Sequence, residues 1–308
     1  MPGKEELKQI FEEKKISDIW PFVEPHLAQA IKMEILQKDA DEKDFKLGES
    51  KLGGYPHLPP HIKWDDIRYK FEKEQDIHLS FILQLNFEDV SKYDETDLLP
   101  KKGMLYFFSV HGDRYVNNLG EIGHLMNKLP HINDNCFIFL ENTDNLMMQS
   151  PKFAPTEEEF MYYSKELPKG FEPNNPKPFY EDRIFPACKL KFSKILSLPS
   201  RAYLQEIYLD NPDFPPSEHP GCWRNYYKLR GTRYHGHMEI LGYGGEAYQG
   251  EDYDKFDAGV DAHRQLLFQL DSLNGMNWRN CQGSILFFIP TEDLLNKEFS
   301  NIDICEDF

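Results

Sequence analysis

The sequence predicts an α+β fold built from two related, mostly antiparallel β-sheet halves, with helices at the N-terminus and at the periphery. Three observations lead to this prediction. The N-terminal segment shows helical spacing, six short runs of β-type composition follow it, and three short motifs recur in the same order. A chain of 308 residues with 40% hydrophobic side chains is long enough to bury one large core.

Residues 1–46 form the predicted N-terminal helical flank. The stretch "EELKQIFEEKK" places its apolar residues on one helical stripe. After a Trp-Pro pair, "EPHLAQAIKMEIL" repeats Leu27, Ile31 and Ile35 with a period near four, which predicts a second helix. The polar stretch "QKDADEKDF" reads as a loop.

From residue 47 the pattern changes to short runs rich in aromatic and branched side chains, separated by Gly and Pro. We predict one domain over residues 47–303, with halves at about 47–150 and 225–303 and a short tail at 304–308. The region between the halves is rich in proline, which is excluded from helix interiors and central strands. We therefore interpret this region as a connection. The predicted strands read "LSFILQLNF", "GMLYFFSV", "CFIFLEN", "HMEILGY", "QLLFQLDS" and "GSILFFIP". A helical segment, "PSRAYLQEIYLD", lies within the connection.

The two halves echo each other, which indicates an internal duplication. An alternative is that aromatic strands and glycine turns look alike in any β-rich protein. The echoes are "LGGY" with "LGYG", "FILQLN" with "LLFQLD" and "GMLYFF" with "GSILFF".

Each repeated strand carries a glutamine within an apolar run. Because residues two apart share a face, the alternation assigns one apolar face and one face that becomes polar. This leaves three readings: half-solvated strands, polar faces lining a shared groove, or amides that satisfy buried backbone groups. The predicted apolar faces are Phe81, Leu83 and Leu85, and Leu266, Phe268 and Leu270; the other faces are Ile82, Gln84 and Asn86, and Leu267, Gln269 and Asp271.

The composition disfavours several classes of function. The net charge of −17 disfavours nucleic acid as a partner, because such binding neutralises phosphates with Lys and Arg. No apolar run is long enough to cross a membrane and no secretory signal is visible, so we expect a cytoplasmic protein. The five cysteines are scattered without a CxxC pair, and no GxSxG motif is present. We expect no cofactor.

Three further motifs suggest a binding site, but each departs from the template of that site. "YHGHME" places His235, His237 and Glu239 two residues apart, but one such cluster is only a partial zinc ligand set, so no metal site is predicted. "GEDYDKFDAGVD" lacks the glycine and the closing glutamate of an EF-hand loop. "LGGYPHLPP" lacks the spacing of a phosphate-binding loop and is interpreted as a stiffened turn.

Together, "KLGGYPHLPP", "LSFILQLNF" and "LLPKKGMLYFF" resemble the YwqG-like proteins, a mostly bacterial family defined as a domain of unknown function. "HMEILGYGGEAYQGED", "RQLLFQLDS" and "GSILFFIPTEDLLNKEFSNI" extend the resemblance over roughly residues 47–303. The resemblance implies a mixed α+β fold with a duplicated, largely antiparallel sheet, and it implies no activity. The second glycine motif departs from the family pattern, since Tyr243 is followed by Gly244 instead of proline.

Two hypotheses for the function follow. The first is a non-enzymatic protein-binding module, adaptor-like or immunity-like, whose acidic surface favours a basic protein partner. The second is a small-molecule-binding protein or enzyme with a cleft between the halves; the sequence does not decide whether the protein is an enzyme. The candidate residues lining that cleft are Tyr55, His57, Gln84, His237, Gln249, Gln269 and Asp271.

Overall fold

The computed structural model describes residues 3–71, 75–109, 137–150, 184–208, 211–214, 220–234, 238–244, 263–271 and 284–307. Its helices are α1 (Lys4–Glu13), α2 (Trp20–Val23), α3 (Phe87–Val90), α4 (Arg201–Ile207), α5 (Pro220–Tyr234) and α6 (Thr291–Asn296). Its strands are β1 (Ala28–Gln37), β2 (Lys51–Leu52), β3 (His57–Leu58), β4 (Arg68–Phe71), β5 (Gln75–His78), β6 (Ser80–Asn86), β7 (Met104–Ser109), β8 (Phe137–Leu140), β9 (Met147–Met148), β10 (Cys188–Ser197), β11 (Met238–Ile240), β12 (Arg264–Asp271), β13 (Ser284–Pro290) and β14 (Asp303–Asp307).

The strands form one large sheet, one small sheet and two ribbons. The large sheet has the order β11-β1-β10-β2-β6-β7-β8, the small sheet has the order β12-β13-β14, and the ribbons are β3-β9 and β4-β5. The backbone N–H of Leu241, just after β11, donates to the carbonyl of Leu266 in β12 at 2.9 Å and joins the two sheets. Every strand pair among the described residues is antiparallel, which confirms the predicted α+β class.

The second predicted N-terminal helix is wrong, because Ala28–Gln37 forms strand β1. β1 pairs with β10 on one side and with β11 on the other, so it is an interior strand of the large sheet. A four-residue spacing of Leu27, Ile31 and Ile35 is a multiple of the two-residue strand period as well as close to the helical one. Buried Met33 completes the two-residue series, and pairing on both sides overrides local helical preference.

Helices cover one end of the large sheet and form a second core. The first predicted helix is confirmed as α1, whose Leu7 and Phe11 are buried. Phe11 packs edge-on against Trp20 and against Tyr226 of α5, with ring centroids 4.9 and 5.9 Å apart. The helix predicted in the connection is confirmed as α4, and its N-cap Ser200 accepts a backbone hydrogen bond. None of the helices described has the length and apolar character needed to cross a membrane.

The hairpins β6-β7 and β12-β13 have the same register, which supports the duplication. Gln84 opposes Tyr106 in the first hairpin, and Gln269 opposes Leu286 in the second. Both ladders shift at the same place, between Phe81 and Leu83 in β6 and between the corresponding residues of β12. A bulge at the equivalent position of each hairpin is a backbone feature that an internal duplication would leave in both copies.

The bulges also correct the predicted faces of both strands. Because Phe81 opposes Phe108 and Leu83 opposes Phe107, Phe81 lies on the face of Gln84 and not on that of Leu83. Likewise, Leu266 opposes Phe288 and joins the face of Gln269. Strict alternation fails in both strands, because a bulge inserts one residue and reverses the faces on one side of it.

The apolar faces of the two hairpins meet and form the main core. Phe107 of β7 packs against Phe268 and Phe287, with ring centroids 6.2 and 4.8 Å apart. Phe137 of β8 stacks on Phe107 at 4.9 Å and contacts Phe287 at 5.7 Å. Aromatic side chains therefore fill the space between the hairpins, and the glutamine-bearing faces point away from it.

We predict that Phe287→Ala lowers the free energy of unfolding by about 3–5 kcal/mol, because it leaves a cavity where the two hairpins meet. Urea denaturation measures this change. The control is Leu295→Ala at a 55% exposed position on α6, with an expected change below about 0.5 kcal/mol. Equal losses in the two variants would contradict this description of the core.

Candidate functional site

The glycine pair of the first half makes a close turn after β2. Gly53 and Gly54 have φ values of +60° and +68°, and the N–H of Gly53 donates to the carbonyl of Ile82 at 2.8 Å. A Cβ on Gly53 would overlap the carbonyl oxygen of Pro186, and one on Gly54 would overlap a carboxylate oxygen of Glu42. Glycine is therefore required at both positions for space as well as for backbone conformation.

An ion pair with a buried lysine holds this turn. Lys51 Nζ lies 2.6 Å from Glu42 Oε2, with the lysine side chain 0% exposed, and 4.7 Å from the centre of the Phe45 ring. Glu42 Oε1 accepts the backbone N–H of Tyr55 at 2.7 Å. Burial lowers the pKa of Lys51, and the hydrogen bond to Glu42 opposes that effect. One carboxylate thus binds both the buried cation and the backbone of the turn.

His57 and Gln84 form a second buried cluster beside the first. The amide of Gln84 accepts the N–H of His57 at 2.9 Å and donates to the carbonyl of Glu49 at 2.6 Å. The imidazole Nδ1 accepts the N–H of Gly48 at 3.0 Å and lies 3.1 Å from Gln84 Nε2. The hydroxyl of Tyr106 donates to the carbonyl of His57 at 2.5 Å.

The ionisation of this cluster is fixed by its burial. The pKa of His57 is lowered to about 4, first by desolvation and then by the positive charge of Lys51. Because the N–H of Gly48 can only donate, Nδ1 is the acceptor and the ring proton lies on Nε2. Burial also raises the pKa of Tyr106, so its hydroxyl stays protonated. At neutral pH the cluster is uncharged.

The second half has its own buried carboxylate at a glycine turn. Glu239 Oε1 accepts the N–H of Gly244 at 2.8 Å and the hydroxyl of Ser197 at 3.2 Å. Arg230 donates to the carbonyl of Gly244 at 3.1 Å, and both charged side chains are at most 2% exposed. A Cβ on Gly244 would lie 3.3 Å from the Oε1 of Gln269, which is itself fully buried. In each half, therefore, a carboxylate binds the turn N–H and a buried cation lies at the turn.

The structure brings some of the seven predicted residues together. Tyr55, His57 and Gln84 lie in the first half and take part, through the backbone or the side chain, in its buried clusters. Gln269 lies beside the second glycine turn, away from the core between the hairpins. Asp271 ends β12, and its side chain is outside the described structure. His237 and Gln249 lie outside the described residues.

The structure describes one of the three possible metal ligands of "YHGHME". His235 and His237 are outside the described residues, and Glu239 is bound to Ser197 and to the turn of the second half. Within the described ranges, no group of three His, Cys, Asp or Glu side chains is arranged to hold a metal ion.

Sequence reasoning missed both charged residues of the ion pair at the first glycine turn and the cation at the second glycine turn: Glu42, Lys51 and Arg230. Glu42 lies in a stretch read as a polar loop, where nothing distinguishes it from its acidic neighbours. Lys51 can be identified from the sequence, because it immediately precedes a Leu-Gly-Gly turn. A charge that is buried beside such a turn requires a partner of opposite charge.

An open cleft of about 590 Å³ lies elsewhere, at the start of α1 and the ends of β1 and β10. Its rim carries two ion pairs, Lys4 with Glu24 at 2.9 Å and Lys194 with Glu95 at 2.5 Å. Of the predicted residues that the structure describes, none lines this cleft.

Comparisons with known proteins give one family. A family profile described as a domain of unknown function (DUF1963) matches residues 50–305, most of the chain. No protein with curated functional information matches the sequence.

We predict that Glu42→Gln lowers the free energy of unfolding by about 3 kcal/mol, because it leaves the buried Lys51 ammonium without its counter-charge. The double variant Glu42→Gln/Lys51→Met should recover most of that loss, since it removes both charges. Chemical denaturation of the four proteins of the cycle gives the coupling. The matched control is Lys43→Met at the exposed Lys43–Asp41 pair, where little change is expected. A double variant no more stable than Glu42→Gln would contradict the role of the pair.

We predict that stability falls as the pH is lowered from about 6.5 to about 4. In this window the unfolded chain binds a proton at residue 57, whereas the folded imidazole stays neutral, so the loss from this group approaches about 3 kcal/mol. The measurement is urea denaturation across this pH range. His57→Asn keeps an acceptor near Nδ1 and cannot titrate, so its pH slope should be shallower. Identical slopes in the two proteins would refute this assignment.

Proposed function

The chain belongs to the DUF1963 family, a domain of unknown function, and from its structure we propose that it is a non-enzymatic binding protein for a basic protein partner. An adaptor-like or immunity-like role is the form of this function that we favour. The proposal extends to membership: within the family, we infer a YwqG-like chain, on the basis of the "KLGGYPHLPP" and "FILQLN" motifs.

The observation that carries the proposal is the use of the candidate polar groups inside the fold. Both amide atoms of Gln84 and the Nδ1 of His57 bind groups of the first half itself. Gln84 and His57 are at most 1% exposed. A ligand cleft requires polar groups that converge on accessible space, and these two instead satisfy buried backbone groups.

The charge of the chain supports a basic partner. The net charge of −17 gives a negative potential that steers cationic proteins and repels anionic ones. Such steering works over the whole surface and needs no cleft. Screening by salt is its signature, because the Debye length shortens from about 30 Å at 0.01 M salt to about 3 Å at 1 M.

Affinity capture from a lysate of the source organism tests the proposal. We expect a protein of basic isoelectric point that elutes with the chain at a fixed stoichiometry in size-exclusion chromatography with light scattering. Because the attraction is electrostatic, the affinity of the purified pair should fall at least about tenfold as salt rises from about 0.05 to 0.5 M.

Three results would count against this function. They are the absence of a stoichiometric partner, an acidic partner, or an affinity that does not respond to salt. The small-molecule alternative would be favoured by a metabolite that raises the melting temperature of the chain and no longer does so when Gln269 is substituted. The control for capture is Leu295→Ala at an exposed position on α6, which changes no charge and should leave the affinity of the pair unchanged.

A further inference from the structure

Three large apolar side chains are exposed beside the first-half clusters. Leu47 is 63% exposed, Met147 is 47% exposed and Met148 is 44% exposed. We propose that these three residues, which we name the Leu-Met surface, bind an extended basic segment of the partner. This inference rests on the proposed function and assigns its contact surface.

The Leu-Met surface is built from two neighbouring chain segments. A Cβ on Gly48, next to Leu47, would lie 3.3 Å from the side chain of Leu146, next to Met147. Strand β9 pairs with β3, with Met148 opposite His57. Successive strand residues point to opposite sides, so Met147 and Met148 lie on opposite faces of β9 at its edge, and each is partly exposed there.

The geometry of β9 favours an extended occupant. The N–H of Gln149 donates to the carbonyl of Pro56 at 3.0 Å, so Met148 occupies a non-hydrogen-bonded pair with His57. The backbone N–H and C=O of Met148 therefore point away from β3. Among the described strands, none pairs with β9 on that side. An extended peptide adds to such an edge through main-chain hydrogen bonds.

The chemistry of the surface favours a segment with basic and apolar side chains. Methionine adapts its shape to different apolar partners, which suits a binding surface. In the sequence, the half-buried Glu49 follows Leu47 by two residues and the exposed Asp144 precedes Met147 by three, whereas the basic Lys46 is next to Leu47. The acidic charge of the whole chain adds to this preference and opposes docking of a second copy of the chain.

The buried cluster beneath makes this surface rigid before binding. The Gly48 N–H bonded to His57 and the Glu49 carbonyl bonded to Gln84 fix the loop that carries Leu47. A surface held in its bound conformation loses less conformational entropy on association. Gln84 thus contributes to binding indirectly, because it positions the backbone of the loop that carries Leu47.

Methyl NMR of the full chain labelled with ¹³C at its methionine methyl groups tests the surface directly. The probe is a ten-residue peptide of alternating Lys and Leu, and the control peptide alternates Glu and Leu. We expect the Lys-Leu peptide to shift the Met147 and Met148 signals in a salt-sensitive manner. The buried Met33, Met104 and Met238 serve as internal controls and should not move. Unchanged Met147 and Met148 signals at millimolar Lys-Leu peptide, or equal shifts with the Glu-Leu peptide, would overturn the proposal.

Capture experiments separate this inference from the proposed function. The variant Met147→Ser/Met148→Ser should bind the captured partner at least about tenfold more weakly. The matched variant Leu295→Ser, at an exposed apolar position on α6, should bind like the wild type. If both variants bind like the wild type, the Leu-Met surface is wrong and the protein-binding function stands. If the wild type captures no partner, the function is wrong, and the methyl shifts alone decide whether the surface binds basic peptides.

Discussion

The amide of Gln84 is the interaction on which the first half depends. It binds the backbone of His57 on one side and of Glu49 on the other, and it thereby fixes the segment after the glycine turn to the outer face of the hairpin. An apolar residue at this position would leave both backbone groups unsatisfied in the interior. Burial of the neutral imidazole, the rigidity of the Leu47 loop and the position of β9 all follow from this attachment.

The two glycine turns are stabilised by different charged residues. Each bulged hairpin is approached by a glycine turn, and each turn presents a backbone N–H that donates to a carboxylate. At the first turn the carboxylate is Glu42, from the segment that precedes the first half, and the cation is Lys51; at the second turn they are Glu239 and Arg230. The backbone geometry of the repeat is thus shared, whereas the charged groups that satisfy it differ.

The sequence predicts the hairpins because their signals are local. Short aromatic runs bounded by Gly and Pro were read correctly as strands, and the repeated glutamine marked equivalent positions. Strand β1 was not predicted, because its apolar spacing fits both periods and its identity comes from pairing with β10 and β11. The faces of β6 and β12 were misassigned for a related reason, since a bulge leaves no mark in the apolar pattern. The Glu42–Lys51 pair is formed by the tertiary fold, so the spacing of the two residues in the sequence does not predict it.

Hydrogen–deuterium exchange of the chain, alone and bound to its captured partner, tests the central claim most directly. That claim is that the His57–Gln84 cluster is structural and that binding takes place on the surface above it. We predict slow exchange over residues 55–58 that the partner does not change, together with new protection over residues 144–149. Fast exchange over 55–58 in the free chain, or protection by the partner that appears there and not over 144–149, would contradict the account.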